Sequence, residues 1–398
     1  MPSRPKLLTT ILVAVSAVVV ITSALIVYQI VNRQFGISIA SDDESNLPAG
    51  AADASDLTTT TEPGIAYVTF DSETETSAIY VSAPDGTDTR LVAESENGRC
   101  FYPSWSPNGQ SIAYLMRTSG ENGELWDPDD VYEVWIAPVD GSEQTRVSDA
   151  IPSIYEVHPV SWSPDGTRLA FLAEAGEDTT DDLFIVRADG TQVEYIPLDF
   201  WAIEAMIWSP TGDELIFVPE TDTIRMTAHL LSLEDQSIIP LYEVGLLDSW
   251  GWGAPLDWSP SGTEIAVVDG LAQYILILSP DGALRRSIHI PMGFPVEIAW
   301  SPSGEHIAVS VSEDLLDAGD VSDMTLYVLE FETEELTAIF HEEERMMTLL
   351  DWSSDGSSLV FTTLYENPEG WLDVDSLWLY DLTTGAAEQL VAGWGTIR

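Results

Sequence analysis

Lysine is almost missing. Lys6 is the only one in 398 residues, and 14 Lys and Arg together face 67 Asp and Glu, a net charge of −53. A surface of that sign repels phosphate backbones, which argues against a nucleic-acid partner, and attracts cations or basic partners. It reads first as a solvated acidic coat. Its self-repulsion weakens the fold where screening is poor, so a salt-tolerant or salt-requiring protein is predicted. Cysteine is nearly absent too. Cys100 stands alone, which excludes an intramolecular disulfide and leaves it as a small buried apolar residue. Histidine is scarce: His158, His229, His289, His306 and His341 form no metal-binding pair at helical spacing, and a single cysteine excludes a Cys-rich zinc site. No Gly-x-Ser-x-Gly nucleophile elbow occurs. The nearest segment, "GQSIA" at 109, puts Ser111 in a turn-to-strand stretch. No phosphate-cradling glycine loop precedes a helix. No catalytic residue is assigned.

What is present begins with "LLTTILVAVSAVVVITSALIVYQIV", Leu7 to Val31, without a charge. Twenty-five uncharged, mostly apolar residues are enough to cross a bilayer with some tilt. The run is too long for a cleaved signal peptide, so an uncleaved signal anchor is expected over 7–31. Arg4 and Lys6 precede it and Arg33 follows, a bias that keeps the tip, residues 1–6, in the cytoplasm and places the rest outside. Residues 32–63 are polar, small and rich in turn formers, and read as a flexible linker of roughly 30 Å root-mean-square reach.

Beyond residue 64 the chain rewrites one phrase. "HPVSWSPDGTRLAF" at 158 returns as "FYPSWSPNGQSIAY" at 101, "AMIWSPTGDELIF" at 205, "PLDWSPSGTEIAV" at 255, "EIAWSPSGEHIAV" at 297 and "LLDWSSDGSSLVF" at 349. Its tryptophans are Trp105, Trp162, Trp208, Trp258, Trp300 and Trp352, a period of 40–60 residues. Proline presets φ at the second turn position and glycine takes the positive φ that closes the turn. Each copy is therefore strand, tight turn, strand. A second hairpin follows each time, as in "DLFIVRADGTQVEYI" at 182 and "QYILILSPDGALRRSI" at 273. Four antiparallel strands per period, a to d, make a propeller blade. The strands are apolar on both faces, as sheets sandwiched between neighbours require.

Seven second hairpins accompany six Trp-Ser motifs. The first blade has "GIAYVTF" at 64 as strand b and no strand a. The segment around Trp394 is expected to supply it and close the ring over residues 64–398. The prediction is all-β: a seven-bladed β-propeller, with six or eight blades as the alternatives, after a single N-terminal transmembrane helix.

The repeat resembles the TolB-type propeller repeat, with its Trp-Ser-Pro-Asp-Gly turn, over nearly everything after residue 64. It departs at Ser354, which replaces the proline, and in the blade between Trp208 and Trp258, whose second turn lacks glycine. TolB resembles six such blades plus an N-terminal domain with no counterpart here, so a role in the periplasmic Tol system is not carried over. Similar propellers cap prolyl-oligopeptidase-type serine peptidases, whose hydrolase domain would need roughly 200 further residues.

The a–b and c–d turns share one face and are short. The b–c and d–a connections share the other and vary, which is where binding resides on a rigid scaffold. The d–a connectors carry aromatics and acids, giving a candidate ligand site of Tyr102, Tyr155, Glu156, His158, Trp201, Glu204, Asp248, Trp250, Trp252, Phe294 and His341. Such a cluster suits a sugar, a peptide or a cation. Any one of these residues can instead fill the wedge between blades. The loops "WDPDD" and "LDVDS" raise Ca2+, but neither completes an EF-hand; no cofactor is expected, with Ca2+ as the alternative. The reading is a non-enzymatic, membrane-anchored extracytoplasmic scaffold for a protein, peptide or glycan. The alternative is an extracytoplasmic hydrolase or lyase with an axial carboxylate or divalent-cation site.

Overall fold

The computed structural model describes residues 40–41, 65–71, 76–82, 88–95, 98–118, 131–147, 160–174, 181–200, 203–219, 225–245, 256–313, 323–343, 345–353, 355–366 and 372–392. They form seven four-stranded sheets in chain order, a seven-bladed β-propeller. Blade 1 holds β1 (Ala40–Ser41), β2 (Ile65–Asp71), β3 (Thr76–Ser82) and β4 (Arg90–Ser95). Blade 2 holds β5 (Gly98–Trp105), β6 (Ser111–Thr118), β7 (Val131–Pro138) and β8 (Thr145–Arg146). Blade 3 holds β9 (Ser161–Trp162), β10 (Arg168–Glu174), β11 (Asp181–Arg187) and β12 (Val193–Phe200). Blade 4 holds β13 (Ile203–Trp208), β14 (Glu214–Pro219), β15 (Arg225–Ser232) and β16 (Ile238–Gly245). Blade 5 holds β17 (Leu256–Trp258), β18 (Ile265–Asp269), β19 (Tyr274–Leu278) and β20 (Leu284–His289). Blade 6 holds β21 (Phe294–Trp300), β22 (His306–Ser312), β23 (Met324–Glu330) and β24 (Leu336–Glu342). Blade 7 holds β25 (Met346–Trp352), β26 (Ser358–Glu366), β27 (Leu372–Asp381) and β28 (Ala386–Ala392).

The middle strands are buried on both faces, as their continuous apolar runs dictate: Ile265–Val268 and Ile307–Ser312 are buried at every position. The outermost strands alternate or face water, as in β20 and β24. Six apolar clusters each span one pair of consecutive blades, and each contains one motif tryptophan. The tryptophan is thus the wedge between a blade and its predecessor. Three also latch: the indole N–H donates to the preceding blade's innermost strand, Trp162 to Ser104 O at 3.1 Å, Trp208 to Ser161 O at 3.4 Å and Trp352 to Ala299 O at 3.0 Å.

The rest of the phrase builds the a–b turn. In blade 3, Gly166 N donates to Ser163 O, and Ser163 N to Arg168 O. The Ser163 hydroxyl donates to Asp165 and accepts the Arg168 N–H at 3.0 Å. The same serine-to-backbone bond recurs in all six copies at 2.9–3.1 Å. Motif glycines sit at φ between 66° and 75°, the left-handed region that ends such a turn. From blade 3 to blade 7 each turn also stacks on the one before it. A Cβ at Gly166 would lie 3.6 Å from Pro107, and one at Gly212 3.6 Å from Pro164. Two of the few arginines clamp neighbouring blades: Arg168 Nη2 donates to Gly212 O at 2.7 Å, and Arg286 Nη2 to Phe331 O at 2.7 Å.

Blade 1 departs from expectation. At Val68 and Thr69 the inner edge of β2 pairs with Ala40 and Ser41, in parallel. The sequence reading gave that edge to the segment around Trp394, which lies outside the described residues, and gave residues 40–41 to a flexible linker. The missed signal is "GISIAS" at 36, where Ile37 and Ile39 alternate with serine as a strand requires. The anchor at 7–31 and the remaining linker lie outside the described residues. Among the described residues no helix is long and apolar enough to cross a membrane.

Candidate functional site

Strand direction sorts the connections. Strand a runs toward the a–b turn and strand b away from it, so the a–b and c–d turns share a turn face while the b–c and d–a connections share a loop face. Six stacked turns close the turn face. In blades 2 to 7 the long connections leave by the loop face: twelve residues separate β6 from β7, and eleven separate β22 from β23.

Of the eleven candidate residues, the structure places four. Tyr102 lies in β5, where the pairing shifts between Phe101 and Ser104. Its φ is 55°, in the left-handed region, a strained choice for a tyrosine. A bulge of this kind re-aims a side chain. The Tyr102 ring lies 5.9 Å from Phe101, which in turn meets Tyr132 edge-on at 6.3 Å. Burial, then the neighbouring Tyr132, pushes the Tyr102 phenol pKa upward. Glu204 occupies the equivalent irregularity of β13, between Ile203 and Ala205. Two candidates therefore sit on bulges of innermost strands. Phe294 opens β21, half-buried, opposite Ser312. The residue before it must be glycine, since a Cβ at Gly293 would meet Ser312 O at 2.2 Å.

His341 belongs to the outermost strand of blade 6, so it stands at the rim rather than at the axis. Its Nδ1 lies 3.2 Å from Met324 O and 3.0 Å from the Thr325 hydroxyl. Tyr155, Glu156, His158, Trp201, Asp248, Trp250 and Trp252 lie outside the described residues.

The structure also reveals polar residues that sequence reasoning missed. Asp257 and Glu297 lie on innermost strands, where an axial acid–base pair would be sought. Asp257 accepts the Trp258 N–H at 2.8 Å through one oxygen and the Trp300 N–H of the next blade at 2.7 Å through the other. Glu297, 1% exposed, accepts the Leu349 N–H of the next blade at 2.7 Å. Both carboxylates are employed in joining blades. The available signal was an aspartate directly before a motif tryptophan, in "LDW" at 256 and again at 350.

Two arginines also meet at the loop-face end of blade 2. Arg99 is directly opposite Arg117, and Arg117 directly opposite Tyr132. Arg117 is buried. Facing residues of adjacent strands project to one side of a sheet, so two of the chain's few arginines stand together beside Phe101 and Tyr132. These strand ends border the 119–130 insertion. Among the described residues no group of three or more His, Cys, Asp or Glu could hold a metal ion.

No family model and no curated relative matches the chain. Solved structures do. An oligogalacturonate lyase in complex with manganese is 12% identical, covering 83% of this chain and 85% of its own, with a TM-score of 0.53. A puromycin hydrolase is 17% identical over 74% of this chain and 50% of its own, at 0.51. A TolB candidate from Agrobacterium tumefaciens is 17% identical over 68% of this chain and 91% of its own, at 0.43, a likeness too slight to argue from. The shared feature is the propeller. At these identities it shows the fold alone, which hosts many functions.

Proposed function

We propose that this protein is a membrane-anchored binding scaffold, held outside the cytoplasm, that offers the loop face of its propeller to a protein, peptide or glycan without turning it over. The observation that carries the reading is the asymmetry of the two faces. In blades 2 to 7 one is taken up by short turns; the other carries the long connections and the bulge-borne Tyr102 and Glu204. A rigid ring with variable connections on one side suits recognition. Apolar residues 7–31 support the anchor.

The test is affinity capture with the full chain in detergent at high NaCl, comparing wild type with Trp250→Ala/Trp252→Ala. Ligand lost at unchanged thermal midpoint supports the loop-face site. A fallen midpoint assigns these tryptophans to packing. Turnover of peptide or oligosaccharide pools by the purified protein overturns the scaffold reading in favour of a hydrolase or lyase.

A further inference from the structure

Blade 1 breaks the molecule's own rule. In blades 2 to 7 the innermost strand is antiparallel to its neighbour. In blade 1 it is β1, parallel to β2, with Ala40 opposite Val68 and Ser41 opposite Thr69. The edge it covers is interior, with Ala66 and Val68 buried. Direction is the informative part. Strand b of every blade runs from the turn face to the loop face, and β1 runs with it. A strand oriented this way is entered from the turn face.

The distance along the chain is short. Nine peptide steps separate Val31 from Ala40. Each spans at most ~3.6 Å, so the apolar run ends within about 30 Å of the ring. The charged run Asp42–Glu44 stops the strand pattern directly after Ser41. In blades 2 to 7 the turn face carries only the short a–b and c–d turns, and these are the surfaces that can approach a flat bilayer.

We propose that β1, the innermost strand of blade 1, seats the propeller turn face inward on the membrane, with the loop face directed away. The ligand then approaches from the aqueous side, and a partner embedded in the same bilayer is excluded from the loop face. The seating rests on the anchor reading above; the strand does not.

The experiment uses the full chain in zwitterionic lipid vesicles. Ser41→Cys with Thr69→Cys places two thiols at paired positions of adjacent strands, and native Cys100 is buried. Mild oxidation should remove both introduced thiols, read by alkylation and mass spectrometry, whereas Ser41→Cys with Thr333→Cys should keep both free. Separately, a fluorophore at Glu335→Cys on the turn face should transfer energy to labelled lipid several-fold more efficiently than one at Glu313→Cys on the loop face. Free thiols in the 41/69 pair overturn the strand. A closed 41/69 pair with stronger transfer from residue 313 overturns the seating alone. Failure of the protein to float with the vesicles defeats the anchor and the seating together, while the thiol result still decides the strand.

Discussion

Asp355 shows how one residue type is used again and again. It accepts the Ser357 N–H at 2.9 Å and the hydroxyls of Ser353 and Ser357 at 2.7 Å each. Chiefly the backbone bond, then the two hydroxyls, lower its pKa from 3.8 to about 2. Asp189, Asp281 and Asp381 are lowered by bonds of the same kind, and at Asp165 desolvation raises the pKa but the bonds together outweigh it. A carboxylate whose folded pKa is depressed stabilises above its unfolded pKa, and that contribution is lost as pH falls through the folded value. The acid limb of stability should therefore lie between about pH 4 and pH 2. Asn108 fills the same turn position in blade 2 without titrating, and still accepts the Gln110 N–H at 3.0 Å. Asp355→Asn should thus lower the thermal midpoint at pH 7, and the gap from wild type should shrink steadily as pH falls from about 4 towards 2. A constant gap across that range would rule out the turn carboxylate as the cause.

Between strands and blades, the weight shifts to the innermost strands. Asp257 and Glu297 satisfy backbone N–H groups that face no neighbouring strand. A hydrogen bond to a charged group contributes about 1.5–3 kcal/mol. Glu297→Ala should cost at least that much in denaturant unfolding at fixed NaCl, because it also leaves Leu349 N unsatisfied in the interior. Glu297→Gln keeps an acceptor oxygen and should cost clearly less. Equal losses in the two variants would show that shape, not the bond, matters there. The hairpins and the blade repeat were legible because proline, glycine and serine at fixed offsets act locally. The blade-joining role of Asp257 was not, since its second partner, Trp300, is 43 residues away and supplies a backbone group that any residue carries. The innermost strand of blade 1 was hidden for a similar reason: Ile37 and Ile39 are only two β-branched residues inside a polar stretch. Of the candidate site, sequence could name aromatics in connectors. It could not foresee that a pairing shift would single out Tyr102, nor that Arg99 and Arg117 would face each other.

For the whole molecule the governing quantity is charge. The ring buries its apolar strands in six interblade clusters and leaves acidic outer strands and turns in water. Its scarce cations are partly committed: Arg168 and Arg286 hold adjacent blades, and so cannot neutralise the coat at large. A net charge of −53 then opposes compaction at long range. Screening decides how strongly: the Debye length is about 30 Å at 0.01 M salt, about 10 Å at 0.1 M and about 3 Å at 1 M. At the low end each blade feels the charge of its neighbours; at the high end it does not. The thermal midpoint should therefore climb steeply from 0.01 to 1 M NaCl. Screening depends on ionic strength rather than on ion identity, so KCl should trace the same curve as NaCl. A flat response would mean the acidic coat is no burden on the fold. A rise with one cation and not the other would replace diffuse screening with a bound ion.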